Sequence, residues 1–121
     1  MKILIVDDEG DLANLLKINL EAEGFECSIA KDGEEGIEKA ILVQPDLILL
    51  DIRMPVIDGY GALAELKKNQ ETSKIPVIMC TTIKGEENIK KAHDLGASDY
   101  IIKPFEPSEV IGKIRKVLNI L

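Results

Sequence analysis

At 121 residues and 13.3 kDa the chain has the length of one domain, and 45% hydrophobic with 31% charged residues is an ordinary globular composition. A net charge of −7 and a pI near 4.7 argue against direct binding to DNA, RNA or anionic membranes, and suit a protein that concentrates a cation or meets a basic partner. The apolar start from Met1 to Val6 is too short for a signal-peptide core, and no apolar run reaches membrane-spanning length, so a cytoplasmic protein is expected.

Strands and helices alternate five times along the chain. Ile3 to Val6 is a first apolar strand. From Asp11, Leu12, Leu15, Leu16 and Leu20 recur at helical spacing, and Gly24 supplies a stop. Phe25 to Ala30 is a short, more mixed strand that suits a sheet edge. Asp32-Gly33 opens a second helix with Ile37, Ala40 and Ile41 facing inward, and Gly36 within it costs about 1 kcal/mol relative to Ala, which softens it.

Leu47 to Leu50 is an unbroken apolar run with Asp46 and Asp51 at its ends, the pattern of a central strand buried on both faces. Met54-Pro55 and Asp58-Gly59 then turn the chain into a third helix, Tyr60 to Lys68, with Leu63 and Leu66 inward. Ile75 to Cys80 is a fourth strand followed by Thr81-Thr82. Glu86 to Leu95 is a fourth helix with Ile89, Ala92 and Leu95 on one stripe. Ser98 to Ile102 is the fifth strand, finishing at Lys103-Pro104. Pro107 opens the last helix, whose inward face holds Val110, Ile111, Ile114, Val117, Leu118 and Leu121. Cys27 and Cys80 fall in separate strands without CxxC spacing and are expected as buried free thiols. This alternation implies right-handed crossovers and one doubly wound α/β domain over 1–121: a parallel five-stranded sheet with five helices on its two faces.

In such a sheet the residues that follow each strand share one edge, where open α/β sheets hold their ligands. They are Asp7, Asp8 and Glu9, then Asp51, Thr81 and Lys103. Singly, each has an ordinary reading: Asp51 merely ends a strand, Asp7 and Asp8 favour a helix N-terminus, and Thr81 is a strand threonine. Together, the carboxylates repel unless a cation sits among them, and all-oxygen ligands suit Mg²⁺. A hydroxyl and an ammonium beside them meet the needs of phosphoryl oxygens, which points to a carboxylate that becomes an aspartyl phosphate. Gly59-Tyr60-Gly61-Ala62-Leu63-Ala64 also fits G-x-G-x-x-A, a dinucleotide pattern. Seven residues separate it from Asp51, however, and no acid stands about twenty residues on, so nucleotide binding is not expected.

Four segments in register resemble the receiver domains of bacterial response regulators. They are Ile5-Val6-Asp7-Asp8-Glu9; Leu49-Leu50-Asp51-Ile52-Arg53-Met54-Pro55 with Asp58-Gly59; Pro76-Val77-Ile78-Met79-Cys80-Thr81; and Gly96-Ala97-Ser98-Asp99-Tyr100-Ile101-Ile102-Lys103-Pro104-Phe105. The resemblance covers the whole chain. It implies a flavodoxin-like fold with strand order 2-1-3-4-5, the order of the family's chemotaxis member, and a phosphorylation-dependent switch of a two-component system. It implies that Asp51 accepts a phosphoryl group from a sensor histidine kinase or a phosphotransfer protein, and from small-molecule donors. Mg²⁺ would be held by Asp8, Asp51 and the backbone carbonyl of Arg53, with Asp7 acting largely through water.

By the same resemblance, Thr81 and Lys103 would hold the phosphoryl oxygens, and Lys103-Pro104 would be a cis peptide bond. Tyr100 would turn inward as Thr81 moves, tying the site to the surface of the fourth helix, fifth strand and fifth helix. Arg53 and Thr82 would border the path of the hydrolytic water and tune the phosphoryl lifetime. The receiver would catalyse its own phosphorylation and dephosphorylation but turn over no external substrate. It would touch no nucleic acid itself, and its output would be a partner protein or a further domain of a longer regulator.

Two other classes fit less well. A haloacid-dehalogenase-type phosphatase also uses an aspartyl phosphate and Mg²⁺, but it needs a second acid where Arg53 stands, and a cap domain. A pseudo-receiver that binds partners without phosphorylation has no need of the full set of site residues. Glu9 is read as shaping the entrance and His93 as an ordinary helix residue. Lys67-Lys68 and Lys90-Lys91 are read as solvated helix faces, the second pair near the output surface.

Overall fold

The computed structural model describes residues 1–121. Its elements are β1 (Lys2–Val6), α1 (Gly10–Ala22), β2 (Glu26–Ala30), α2 (Gly33–Val43), β3 (Leu47–Leu50), α3 (Gly59–Lys68), β4 (Val77–Thr81), α4 (Glu86–Asp94), β5 (Asp99–Ile102) and α5 (Pro107–Leu118). The strands pair in the order β2-β1-β3-β4-β5 and every pair is parallel, as the resemblance implies. β3 lies in the middle with all four residues buried, which is why its sequence shows no alternation. The register sets Val6 beside Ala30 and Leu50, Leu50 beside Met79, and Thr81 beside Ile102. The C-terminal ends of β1, β3, β4 and β5 therefore meet along one edge.

Alternate strand positions serve two core layers. Leu4, Val6, Ile48 and Leu50 pack with Ala40 of α2 and Leu63 of α3 on one face of the sheet. Ile3, Ile5, Leu47 and Leu49 pack with Leu16 of α1 and Ile114 of α5 on the other. Leu63 is fully buried, so Leu63→Ala carries the usual cavity cost of about 2–5 kcal/mol. Asp32 and Asp58 start their helices by accepting the Glu35 and Gly61 N–H groups, both at 2.8 Å. Gly36 does not break α2. A Cβ there would lie 2.9 Å from both Val6 methyl groups, so the residue that weakens the helix lets it settle on β1.

Several side chains depart from expectation. Leu15 is 55% exposed because Ala13, Leu16 and Leu20 form the buried stripe of α1. Ile89 is also exposed, and Ala92 is the buried residue of α4. Leu121 lies past the end of α5 in solvent, while Ile120 packs against the core instead. β4 starts at Val77, not Ile75, because Pro76 brings no N–H to the ladder. Cys80 is buried but Cys27, on the edge strand, is only half-buried; both thiols are free, and burial pushes them up to about 12 and about 11.

Lys67 is not a solvated surface residue. Its ammonium donates to the carbonyls of Ile75 at 2.8 Å and Ser73 at 3.2 Å, stapling α3 to the segment before β4, and burial pulls its pKa down. Lys68 and His93 are exposed, and Lys90 pairs with Asp94 at 2.9 Å. No helix is long and apolar enough to cross a membrane.

Candidate functional site

Three of the strands that end at the common edge hand their next residue to the site with one more backbone bond. Asp7 N–H donates to Ala30 O and Asp51 N–H to Val6 O, both at 3.0 Å, and Lys103 N–H donates to Thr81 O at 2.8 Å. The sheet thus fixes these three backbones before their side chains find partners. Asp7, Asp51, Thr81 and Lys103 are all buried, and no buried side-chain nitrogen or oxygen in the protein lacks a hydrogen-bond partner.

The Lys103 ammonium stands 2.7 Å from Asp7 Oδ2 and 3.4 Å from both Asp51 Oδ2 and Glu9 Oε1. Asp7 Oδ1 accepts the Glu9 N–H at 2.9 Å, and Asp51 Oδ1 accepts the Ile52 N–H at 2.8 Å. Oxygens of Asp7, Asp8 and the 4%-exposed Asp51 all lie within 4.8 Å of one another, with Asp8 on the solvent side. One ammonium among these acids leaves negative charge unbalanced, and a divalent cation fits the oxygen set. Burial, helped by the Asp51 charge, pushes the Asp7 carboxyl above its usual range despite its bond to Lys103. Burial alone would lower the Lys103 ammonium, but Asp7, Asp51 and Glu9 outweigh it and hold the ammonium above its ordinary value.

Behind Asp51 the chain folds back on itself. Gly59 N–H donates to Ile52 O at 2.8 Å, and a Cβ on Gly59 would fall 2.2 Å from Asp51 O and 2.6 Å from Ile52 Cα. Only glycine closes this loop. Arg53, within the loop, has an exposed side chain. Thr82 is exposed too, and with Glu9, Leu12, Lys103, Pro104 and Phe105 it walls a cavity of about 310 Å³ that opens onto the Lys103 side of the site. Arg53 is not among those walls.

Thr81 Oγ1 accepts the Ile83 N–H at 3.3 Å, and the Tyr100 hydroxyl donates to the Ile83 carbonyl at 2.6 Å. Tyr100 is half-buried; burial first, and then the Tyr60 phenol and Asp51, push its pKa up to about 12. The Lys103–Pro104 peptide is cis. Of the eight residues singled out from sequence, seven lie on this edge or the loops that leave it, and Tyr100 stands within β5 beside Met79. The contact of Glu9 with Lys103 goes beyond shaping an entrance. Its signal was available: Glu9 holds the N-cap position of α1, where Ser, Thr, Asp or Asn is preferred, and makes no capping bond.

The family model of the response regulator receiver domain matches residues 3–115. The DNA-binding dual master transcriptional regulator RpaA of Synechocystis sp. is 38% identical over 118 residues, covering 98% of this chain and 49% of that protein. The probable transcriptional regulator ycf27 of Cyanophora paradoxa is 42% identical over the same share of this chain and 48% of its own. The chain spans about half the length of these curated relatives. A CheY-like response regulator receiver domain protein of Methanospirillum hungatei superposes with a TM-score of 0.91 at 34% identity, covering 98% of this chain and 93% of that one.

Proposed function

The chain belongs to the response regulator receiver domain family, and from that premise we propose that Asp51 is its phosphoryl acceptor and that phosphorylation alters the surface formed by α4, β5 and α5. One observation carries the reading. A buried carboxylate ends the central strand with an ammonium at 3.4 Å and two further carboxylates beside it. Residues 1–121 act as one receiver unit, in the cytoplasm. The donor is the phosphohistidine of a sensor histidine kinase or a phosphotransfer protein, or a small acyl phosphate.

In the transfer an Asp51 oxygen attacks phosphorus, the P–N bond of the donor breaks, and the imidazole leaves with its electron pair. Mg²⁺ held by Asp8, Asp51 and the Arg53 carbonyl, with Asp7 acting through water, would supply charge neutralisation among the acids and the phosphoryl oxygens. The Lys103 ammonium is near enough to exchange Asp51 for a phosphoryl oxygen with little movement. The Thr81 hydroxyl, which accepts the Ile83 N–H, keeps its own proton for another such oxygen and would turn toward it, straining the long bond to Ile83. That step loosens Ile83, the residue on which Tyr100 is fastened, and so reaches β5 and α4. The output is a DNA-binding segment of a longer regulator or a separate protein that reads this surface; the receiver turns over no external substrate.

Incubation with acetyl phosphate and Mg²⁺ tests the proposal. One base-labile phosphoryl group is expected on Asp51, absent in Asp51→Asn and absent when the metal is chelated. Stoichiometric labelling that survives Asp51→Asn overturns it.

A further inference from the structure

Glu9 starts α1 without helping to build it. It holds the N-cap position, yet its side chain makes no capping bond. Its backbone is pinned, because its N–H donates to Asp7 Oδ1 at 2.9 Å. Its carboxylate is 60% exposed and lies 3.4 Å from the Lys103 ammonium. That ammonium does not cancel its charge. Lys103 is buried, stands nearer Asp7 at 2.7 Å, and faces Asp51 as well. One cation shared among three acids cannot neutralise them all, and of the three Glu9 is the one that solvent and an incoming molecule meet.

The way in is the cavity of about 310 Å³ that Glu9 walls with Leu12, Thr82, Lys103, Pro104 and Phe105. Lys103 is both a wall of this cavity and a neighbour of Asp51, so the cavity adjoins the point of phosphoryl transfer. In-line attack by Asp51 drives the leaving group out on the side away from the aspartate. The apolar walls suit a flat ring there, and the exposed charge beside them is negative.

We propose that Glu9 is a specificity-determining residue, favouring phosphodonors whose leaving group is a protonated nitrogen over those whose leaving group is a carboxylate. The inference rests on the reading of Asp51 as phosphoryl acceptor and deepens it. With phosphohistidine or phosphoramidate, attack breaks a P–N bond and the protonated nitrogen takes the electron pair, leaving as neutral imidazole or ammonia. With acetyl phosphate, a P–O bond breaks and the oxygen takes the pair, leaving as acetate. The Glu9 carboxylate attracts the first kind of donor while its nitrogen is still partly positive, and repels the second as negative charge grows on its oxygen.

A single charge a few ångströms away in a solvated cavity changes a rate about two- to three-fold. The two donors respond with opposite sign, so their ratio changes about five-fold. The test compares second-order rate constants for labelling by acetyl phosphate and by phosphoramidate at saturating Mg²⁺. They are read from the initial gain of a phosphoryl group in intact-mass spectra of the parent, Glu9→Gln and Glu9→Ala. Neither variant loses a capping bond, so both keep the fold. The expected result is a ratio of acetyl phosphate to phosphoramidate rates about five-fold higher in both variants, with the parent's ratio moving toward theirs as KCl screens the carboxylate. A ratio unmoved in Glu9→Gln overturns the proposal: if both donors change together, Glu9 acts only through Lys103, and if Glu9→Ala alone shifts the ratio, side-chain size and not charge selects the donor. Either result leaves Asp51 as the acceptor. Labelling by both donors that survives Asp51→Asn overturns the acceptor reading and the specificity with it.

Discussion

Thr81 and Tyr100 meet on a single residue: the Thr81 hydroxyl accepts the N–H of Ile83, and the Tyr100 hydroxyl donates to its carbonyl. The two side chains come from adjacent strands, and neither touches the other in sequence. Tyr100→Phe removes the shorter of these bonds and leaves a part-buried carbonyl without a donor. A loss of about 1–2 kcal/mol in urea denaturation is expected, with faster exchange of amides between β4 and α4. A loss near zero would mean that water replaces the phenol, and that Tyr100 does not restrain the loop.

The strand-end residues could be placed together from sequence because strands that alternate with helices run parallel, and the acid, hydroxyl or ammonium after each apolar run then needs no distance to be assigned to the shared edge. The pairings within the site follow from atoms and not residue types. Lys103 sits nearer Asp7 than Asp51, and the Ile83 bridge uses only backbone groups on one side. Leu12, Leu15, Leu16 and Leu20 span a wider arc than α1 buries, so spacing alone could not reject Leu15 or promote Ala13. Lys67 looks like any helix-surface lysine until the carbonyls of Ser73 and Ile75 are brought beneath it by the turn before β4.

Lys103 sets the stability of the site without metal. Lys103→Met removes the ammonium facing Asp7 and Asp51, both buried, and leaves their charges uncompensated. Breaking a buried ion pair in this way costs about 3–5 kcal/mol. Urea denaturation of the metal-free variant is expected to show a loss near the lower end, since Asp8 keeps one side of the cluster open to solvent. Mg²⁺ should raise the stability of parent and variant alike by mass action. A metal-free variant as stable as the parent would show that the acids do not strain the fold.

The Tyr100 phenol gives an alkaline signature. The folded chain holds its proton up to about 12, whereas the ordinary value is 10.0. Between these limits the unfolded chain binds fewer protons than the folded one, so stability falls as pH rises through this window. With two tyrosines and no tryptophan, phenol absorbance in Tyr60→Phe reports Tyr100 alone. Its midpoint is expected above 10 in the folded chain and near 10 in denaturant. It should fall short of 12, because the substitution removes the contribution of the Tyr60 phenol. A folded midpoint equal to the denatured one would show that burial does not hold the proton.

Gly59 is expected to tolerate no side chain. A Cβ 2.2 Å from Asp51 O has only backbone to push against, so Gly59→Ala must move the end of β3 or the start of α3. Overpacking of this kind costs about 1–3 kcal/mol. The expected outcome is that loss in denaturation together with slower labelling by acetyl phosphate. Labelling at the parental rate would show that the acceptor geometry survives displacement of the loop.

The lifetime of a phosphoryl group on Asp51 depends on access for water in line with the scissile phosphorus–oxygen bond, from the side away from the aspartate. Thr82 walls the cavity on the Lys103 side, where its branched side chain takes up space that water would use. Arg53 lies outside those walls with an exposed side chain, so it shields only when its guanidinium swings over the phosphoryl oxygens. Both are expected to slow hydrolysis, Thr82 with no rearrangement and Arg53 only after one. Each truncation should therefore speed dephosphorylation by at most about 1 kcal/mol, or roughly five-fold, with Thr82→Ala the larger. The measurement is phosphoryl loss from the parent, Arg53→Ala, Thr82→Ala and the double variant at saturating Mg²⁺. A double variant that loses phosphate no faster than the parent would make both side chains bystanders. An Arg53→Ala effect exceeding that of Thr82→Ala would mean that the guanidinium already lies over the phosphoryl group once it has been transferred.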